Sequence, residues 1–103
     1  MKCNSYHHFF EVLANQTRFK IIESLKKSEK CVNEICLDLK EEQSKISHNL
    51  KIMLECKILE VKNEGKNRIY FLNKNTIKPI LKIVEEHVKN NCKICKKIKF
   101  QKI

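Results

Sequence analysis

The sequence predicts a mainly α domain carrying one small β-hairpin. Three observations carry that reading. Apolar residues recur at helical spacing over most of the chain. The period changes once, between Ile58 and Leu72, where β-branched and aromatic residues flank a polar loop that contains the only glycine, Gly65. The only proline, Pro79, falls near the start of the last helical stretch, where its missing N–H costs least. A chain of 103 residues supports one core and one domain, small enough that pairing with a second copy would bury useful additional surface.

The elements follow in order. Tyr6 to Ala14 (YHHFFEVLA) form a short helix whose Phe9, Phe10, Val12 and Leu13 exceed one narrow stripe, so it is expected to be covered on two sides, one of them by a second subunit. Asn15 is the N-cap of a helix over Gln16–Lys27, with Phe19, Ile21, Ile22 and Leu25 toward the core, closed by Ser28 to Lys30. Val32, Ile35, Cys36 and Leu39 repeat the i, i+3, i+4, i+7 pattern over about two turns. After a polar turn, Lys40 to Glu42, a longer helix runs from Gln43 to Cys56 with Ile46, Leu50, Met53 and Leu54 on its core stripe. A short helix, a turn and a longer amphipathic helix make a helix-turn-helix.

The other positions of Gln43–Cys56 carry Gln43, Ser44, Lys45, Ser47, His48, Asn49 and Lys51. Amides, hydroxyls and imidazole can address base edges, and lysines can hold phosphates, although the same residues also suit a plain solvated face. The strands Ile58–Lys62 and Arg68–Leu72 enclose the loop Asn63–Asn67, and Lys62, Lys66 and Arg68 lie on or near the tip. A basic-tipped hairpin directly after such a helix can straddle a phosphate backbone. Asn75 is expected to cap a last helix reaching about Asn91, whose Ile77, Ile80, Leu81, Val84 and Val88 form one stripe suited to a second subunit. The expected organisation is therefore residues 1–91 as one DNA-binding and dimerisation domain and residues 92–103 as a basic, cysteine-containing tail.

Charge narrows the partners. Lys and Arg number 22 against 12 Asp and Glu, a net +10, and residues 89–103 hold six lysines and no acid. Such an excess attracts polyanions, so nucleic acid is the first partner to consider. No apolar run approaches the length of a membrane span, and the N-terminal stretch lacks a signal-peptide pattern, so a cytoplasmic protein is expected. In that compartment Cys3, Cys31, Cys36, Cys56, Cys92 and Cys95 read as metal-binding, redox-active or buried rather than as a disulfide framework. There is no phosphate-cradling glycine loop and no nucleophile paired with a base, so the chain does not read as an enzyme and no small-molecule substrate is expected. The Cys92-x-x-Cys95 pair ends a helix instead of opening one after a strand, which argues against a thiol oxidoreductase.

Over about residues 8–90 the chain resembles the ArsR/SmtB family of winged-helix repressors. The resemblance is carried by Leu13-Ala14-Asn15-Gln16-Thr17-Arg18, by Cys31-Val32-Asn33-Glu34-Ile35-Cys36, by Gln43 to Lys51, and in the wing by Glu64-Gly65-Lys66 with Ile69-Tyr70-Phe71-Leu72. It departs at Asn49, where the family commonly has histidine, and at Lys57, where it commonly has the glycine that ends the recognition helix. The resemblance implies a winged helix-turn-helix of about five helices and a two-stranded wing, paired as a homodimer through its first and last helices. It further implies a repressor of a pseudo-palindromic double-stranded DNA operator, with recognition helices about 34 Å apart. Gln43, Ser44, Ser47 and His48, with Asn49 beside them, are the expected base-reading residues, and Lys45, Lys51, Lys66 and Arg68 the phosphate contacts.

The resemblance also frames the cysteines. Arsenic-responsive members carry three thiols at the positions of Cys31, Asn33 and Cys36, and here the middle one is asparagine. Cys31 and Cys36, helped by Cys92 and Cys95, are candidate ligands for an inducing As(III), Cd(II) or Zn(II) ion. The zinc site found on the last helix of other members reduces here to Lys74, Thr76, His87 and Asn90 and is expected to be absent. A thiol-redox or persulfide response is the alternative inducer mode, although Ile22-Glu23-Ser24 of the second helix offers no thiol. A constitutive basic DNA-binding protein with structural cysteines is the alternative from another class.

Overall fold

The computed structural model describes residues 5–91. The elements are α1 (Tyr6–Leu13), α2 (Gln16–Lys27), α3 (Val32–Leu39), α4 (Gln43–Glu55), β1 (Leu59–Glu64), β2 (Asn67–Leu72) and α5 (Ile77–Asn91). The chain divides into two compact units between Asn73 and Lys74. The expected five helices and one antiparallel hairpin are all present.

In the first unit, helix starts are set by local polar caps. Ser5 Oγ accepts from His8 N–H at 3.1 Å, and Asn15 Oδ1 accepts from Arg18 N–H at 3.0 Å, as expected for Asn15. At α3 the N-cap is a cysteine: Cys31 stands where serine is usual, and Glu34 reaches back to accept from Cys31 N–H at 2.9 Å. The Cys31 backbone N–H, and then its side chain, hold the Glu34 carboxyl below its ordinary range.

Both helices of the helix-turn-helix end on a left-handed lysine. Lys40 has φ 56°, and Glu41 N–H donates to Cys36 O at 3.2 Å. Lys57 has φ 60°, with Ile58 N–H donating to Met53 O at 2.9 Å and Lys57 N–H to Leu54 O at 3.1 Å. That pair of bonds is a Schellman motif, whose C′ position favours glycine. The sequence thus ends α4 on Lys57, with a Cβ in a conformation that disfavours one.

The core of this unit joins Ile21, Ile22 and Leu25 of α2, Ile35 of α3, Ile46, Leu50 and Met53 of α4, and Leu59, Tyr70 and Leu72 of the hairpin. Each such aliphatic side chain contributes roughly 1.5–3 kcal/mol through burial. Phe19, expected in the core, is half-buried, while Ser24 in the same helix is fully inside.

The hairpin differs from expectation at both ends. It pairs from Leu59↔Leu72 to Glu64↔Asn67, leaving only Gly65 and Lys66 as the turn. Gly65 takes φ +62°, the positive value that a two-residue turn of type II′ needs at its first central position. Ile58 is absent from β1 because its N–H is committed to the end of α4, while its carbonyl accepts from Asn73 N–H at 3.1 Å. A further rung was not foreseen. Lys30 and Tyr70 exchange backbone bonds of 3.2 and 2.8 Å, stitching the loop before α3 to β2.

In the second unit α5 begins at Ile77, and Ile80 N–H bonds to Thr76 O at 3.0 Å. Thr76, rather than the expected Asn75, therefore occupies the cap position, and Pro79 sits in the first turn as its missing donor requires. Ile77 and Leu81 are buried, whereas Ile83 and Val84 are exposed.

Candidate nucleic-acid interface

The stripe that docks α4 leaves its opposite side outward. Gln43, Ser44, Lys45, Ser47, His48 and Lys51 are all exposed there. Lys45 also pairs with Glu41 one turn earlier at 3.3 Å, a surface contact of at most modest strength.

Asn49, grouped with these readers from the sequence, does not belong with them. The residue is 8% exposed and its amide is bonded from within at both ends: Nδ2 donates to Lys45 O at 2.9 Å, and Oδ1 accepts from Arg18 Nη1 at 3.1 Å. The same guanidinium donates through Nε to Val12 O at 2.7 Å. Arg18 therefore ties the end of α1, the start of α2 and the middle of α4 in one junction. A buried amide needs such partners, and an outward role at a base edge would leave them empty.

A second internal junction lies between α2 and α3. The buried Ser24 hydroxyl donates to Asp38 Oδ2 at 2.5 Å, and Lys30 Nζ donates to Ser24 O at 2.6 Å. The hydroxyl bond, followed by the charges of Lys27 and Lys30, keeps the Asp38 carboxyl below its usual range.

On the hairpin, Lys66 and Arg68 are exposed, and among the described residues neither faces a carboxylate. The Arg68 guanidinium sits 5.9 Å from the centroid of the Tyr70 ring, two residues along the same face. Lys62, read from sequence as part of the basic tip, is instead engaged. Its Nζ lies 2.7 Å from Glu29 and 3.6 Å from Glu64, and over the Phe71 ring. The bond from Glu29 is the main reason its pKa is raised.

Between the start of α3, the middle of α4 and the hairpin lies an open groove of about 300 Å³. Cys31, Asn33, Ser47, Lys66, Arg68 and Tyr70 are among its lining residues. It brings together one expected base reader, two expected phosphate contacts and one expected metal ligand, which lie far apart in sequence. Asn33 and Tyr70 were not expected at this groove, and Tyr70, a core residue held by the Lys30–Tyr70 rung, forms part of its wall.

Cys31 and Cys36 are free thiols, both partly exposed. Burial, and secondarily the nearby charge of Cys31, push the Cys36 thiol up. Among the described residues no group of three or more His, Cys, Asp or Glu side chains is placed to hold a metal ion. The two thiols thus supply two soft donors, short of the three or four that a closed thiolate site uses. Cys92 and Cys95, the expected helpers, lie outside the described residues. Cys56, buried at the C-cap of α4, is disulfide-bonded, whereas the six cysteines were expected to be metal-binding, redox-active or buried rather than to form a disulfide framework. Among the described residues no helix is long and apolar enough to cross a membrane.

The family model of the bacterial regulatory proteins of the arsR family matches residues 15–61, from the α2 cap to mid-β1. An uncharacterised HTH-type transcriptional regulator of Methanocaldococcus jannaschii is 32% identical over 78 residues, covering 75% of this chain and 88% of its own. A transcriptional repressor SmtB homolog of Synechocystis is 26% identical over 83 residues, or 81% of this chain, and the match spans only 63% of that relative's length. Among solved structures, the homodimeric winged helix-turn-helix DNA-binding domain of a possible ArsR-family regulator from Mycobacterium bovis superposes with a TM-score of 0.69. It is 20% identical, and the match covers 84% of this chain and 83% of that one.

Proposed function

The chain belongs to the ArsR family of winged helix-turn-helix regulators, and from that premise we propose that it is a transcriptional repressor that binds double-stranded DNA as a homodimer. The observation that carries the proposal is the grouping of six exposed polar or cationic side chains on one face of α4 with Lys66 and Arg68 of the hairpin, Ser47 sharing a groove with both. Gln43, Ser44, Ser47 and His48 address base edges in the major groove, while Lys45, Lys51, Lys66 and Arg68 hold phosphates. Pairing is supported by the homodimeric state of the M. bovis domain, by exposed Tyr6 and Phe10 on α1, and separately by exposed Ile83 and Val84 on α5. Two copies in two-fold symmetry would read a pseudo-palindromic operator.

The test is a salt titration on duplexes selected from a random pool. Replacing Lys66 or Arg68 by Ala should lower the slope of log affinity against log salt by about one unit each and leave sequence preference intact. Replacing Ser47 or His48 by Ala should instead relax preference at one position of each half-site. An unchanged slope in both hairpin variants would remove the wing from the binding surface.

For the inducer, we infer a thiophilic ion such as As(III), Cd(II) or Zn(II) on Cys31 and Cys36, completed by Cys92 or Cys95. The two free thiols at the start and middle of α3, directly ahead of the reader, favour this mode over a response without cysteines. Native mass spectrometry of the dimer with each ion should show an adduct that disappears in Cys31→Ser and weakens in the Cys92→Ser/Cys95→Ser double variant. An adduct that survives both would overturn the assignment, and polysulfide in place of the ion tests the redox alternative.

A further inference from the structure

The buried residues of α4 are Ile46, Asn49, Leu50 and Met53, and one of them is unlike the rest. Contacts between apolar side chains are non-directional, so Ile46, Leu50 and Met53 hold the helix on the core without fixing its rotation about its own axis. A hydrogen bond is directional, and on this side Asn49 alone supplies one. Its Nδ2 donates to Lys45 O one turn back in the same helix, so its Oδ1 is a fixed point of α4 rather than the end of a free side chain. Arg18 Nη1 bonds that point from α2 at 3.1 Å. The guanidinium is itself held, because Nε donates to Val12 O in the last turn of α1 at 2.7 Å, and the Arg18 backbone N–H donates to the Asn15 cap at 3.0 Å. The ends of α1 and α2 thus converge on one directional bond into α4.

We propose that Arg18 is a positioning residue for base reading: acting through Asn49, it fixes the rotation of α4 about its axis, and with it the aim of the exposed Ser47 and His48 beside Asn49. Side-chain tips lie about 5–6 Å from a helix axis, so a rotation of about 20° carries them about 2 Å. Hydrogen bonds to base edges tolerate about 0.5 Å, whereas lysines on flexible stems follow a phosphate over a longer range. Loss of the junction therefore costs discrimination more than grip. The proposal rests on the DNA-binding reading given above and adds to it a specificity determinant that touches no DNA.

The test separates aim from stability. Arg18→Met leaves the buried Asn49 Oδ1 without its donor, whereas Arg18→Met/Asn49→Leu replaces both partners by apolar groups and should recover much of the lost stability. In the full chain, the readout is the ratio of affinities for a selected duplex and for one with a single changed base in each half-site, taken where circular dichroism shows the variant folded. That ratio should fall about tenfold in the single and the double variant alike. The salt slope should stay at its wild-type value, because the phosphate contacts remain. Ser24→Ala, which breaks the other buried polar junction, should keep the ratio within about twofold of wild type.

A second arm needs no variant. Followed by NMR in the wild type, the Arg18 Nε–H should exchange slowly in the free protein and keep its chemical shift when the selected duplex is added, as a junction set before DNA arrives requires. Protection that appears only with the duplex would overturn the proposal. So would a double variant that stays folded and keeps the wild-type ratio, while leaving the repressor reading intact. A wild type that binds every duplex alike would instead remove the sequence-specific reading, and the positioning role with it.

Discussion

The two sides of α4 use similar side chains to opposite ends. Facing inward, Asn49 has both ends of its amide occupied, by Arg18 and by the Lys45 carbonyl, and the Ser24 hydroxyl of the neighbouring α2 is matched to Asp38. Facing outward, Gln43, Ser44, Ser47, His48 and Lys51 are exposed, and among the described residues none of them bonds another side chain. A polar group inside must find its partners in the protein, since leaving it empty costs about 1–3 kcal/mol. One outside keeps its capacity for whatever the surface meets. Residue type alone does not separate a reader from a strut; what separates them is whether the hydrogen-bonding capacity is already filled.

That contrast can be broken by substitution. The largest effect is expected at Arg18→Ala, which strips donors from Val12 O and from the buried Asn49 Oδ1 and should destabilise the fold by about 2–3 kcal/mol. Urea unfolding would show it as a lower midpoint at unchanged m-value, and an unmoved midpoint would mean that the inward junction is ornamental. Ser24→Ala comes next, at about 1–1.5 kcal/mol. Its cost should depend on pH. Asp38 has a lowered folded pKa, so its contribution is present above the ordinary aspartate range and is lost as pH falls through that lowered value. The gap between wild type and Ser24→Ala should therefore be widest near neutrality and close in acid. A gap independent of pH would detach Asp38 from the junction.

Lys57→Gly should change stability in the other direction, by about 1 kcal/mol, because glycine accepts the left-handed cap without the Cβ penalty. Thermal melts would record a higher midpoint. The smallest stability effects belong to the outward set: Lys66→Ala and Arg68→Ala should each stay within about 0.5 kcal/mol of wild type. A large loss at either would reclassify the wing cation as part of the scaffold.

Much of this architecture was legible in the residues. Asn15 with the stripe after it gave α2 its boundaries, and the change of period at Ile58 gave the hairpin. Asn49 was misplaced although the signal was present. It lies three residues after Ile46 and four before Met53, inside the buried arc, and so does Ser24 relative to Ile21. Helical position outweighed side-chain polarity at both sites. What the sequence could not show was the partner, since Arg18 is 31 residues from Asn49 and no local rule pairs them. The same holds for Lys62, whose basic appearance near a hairpin tip concealed an ion pair with Glu29 from another loop. The groove was illegible for a related reason, because three chain segments distant in sequence, the start of α3, the middle of α4 and the hairpin, meet there only in the folded chain.

That rung has a consequence for the timing of recognition. A wing joined to its domain only through its own two strands would sample many orientations, and clamping it on a duplex would forfeit that freedom. The Lys30 and Tyr70 amides, bonded to each other's carbonyls, tie the hairpin to the loop that leads into α3 in the free protein. The surface is in this sense preorganised, and less of the gross contact energy is consumed in ordering it. In amide exchange, these two protons should open together with the core strands rather than with the turn at Gly65.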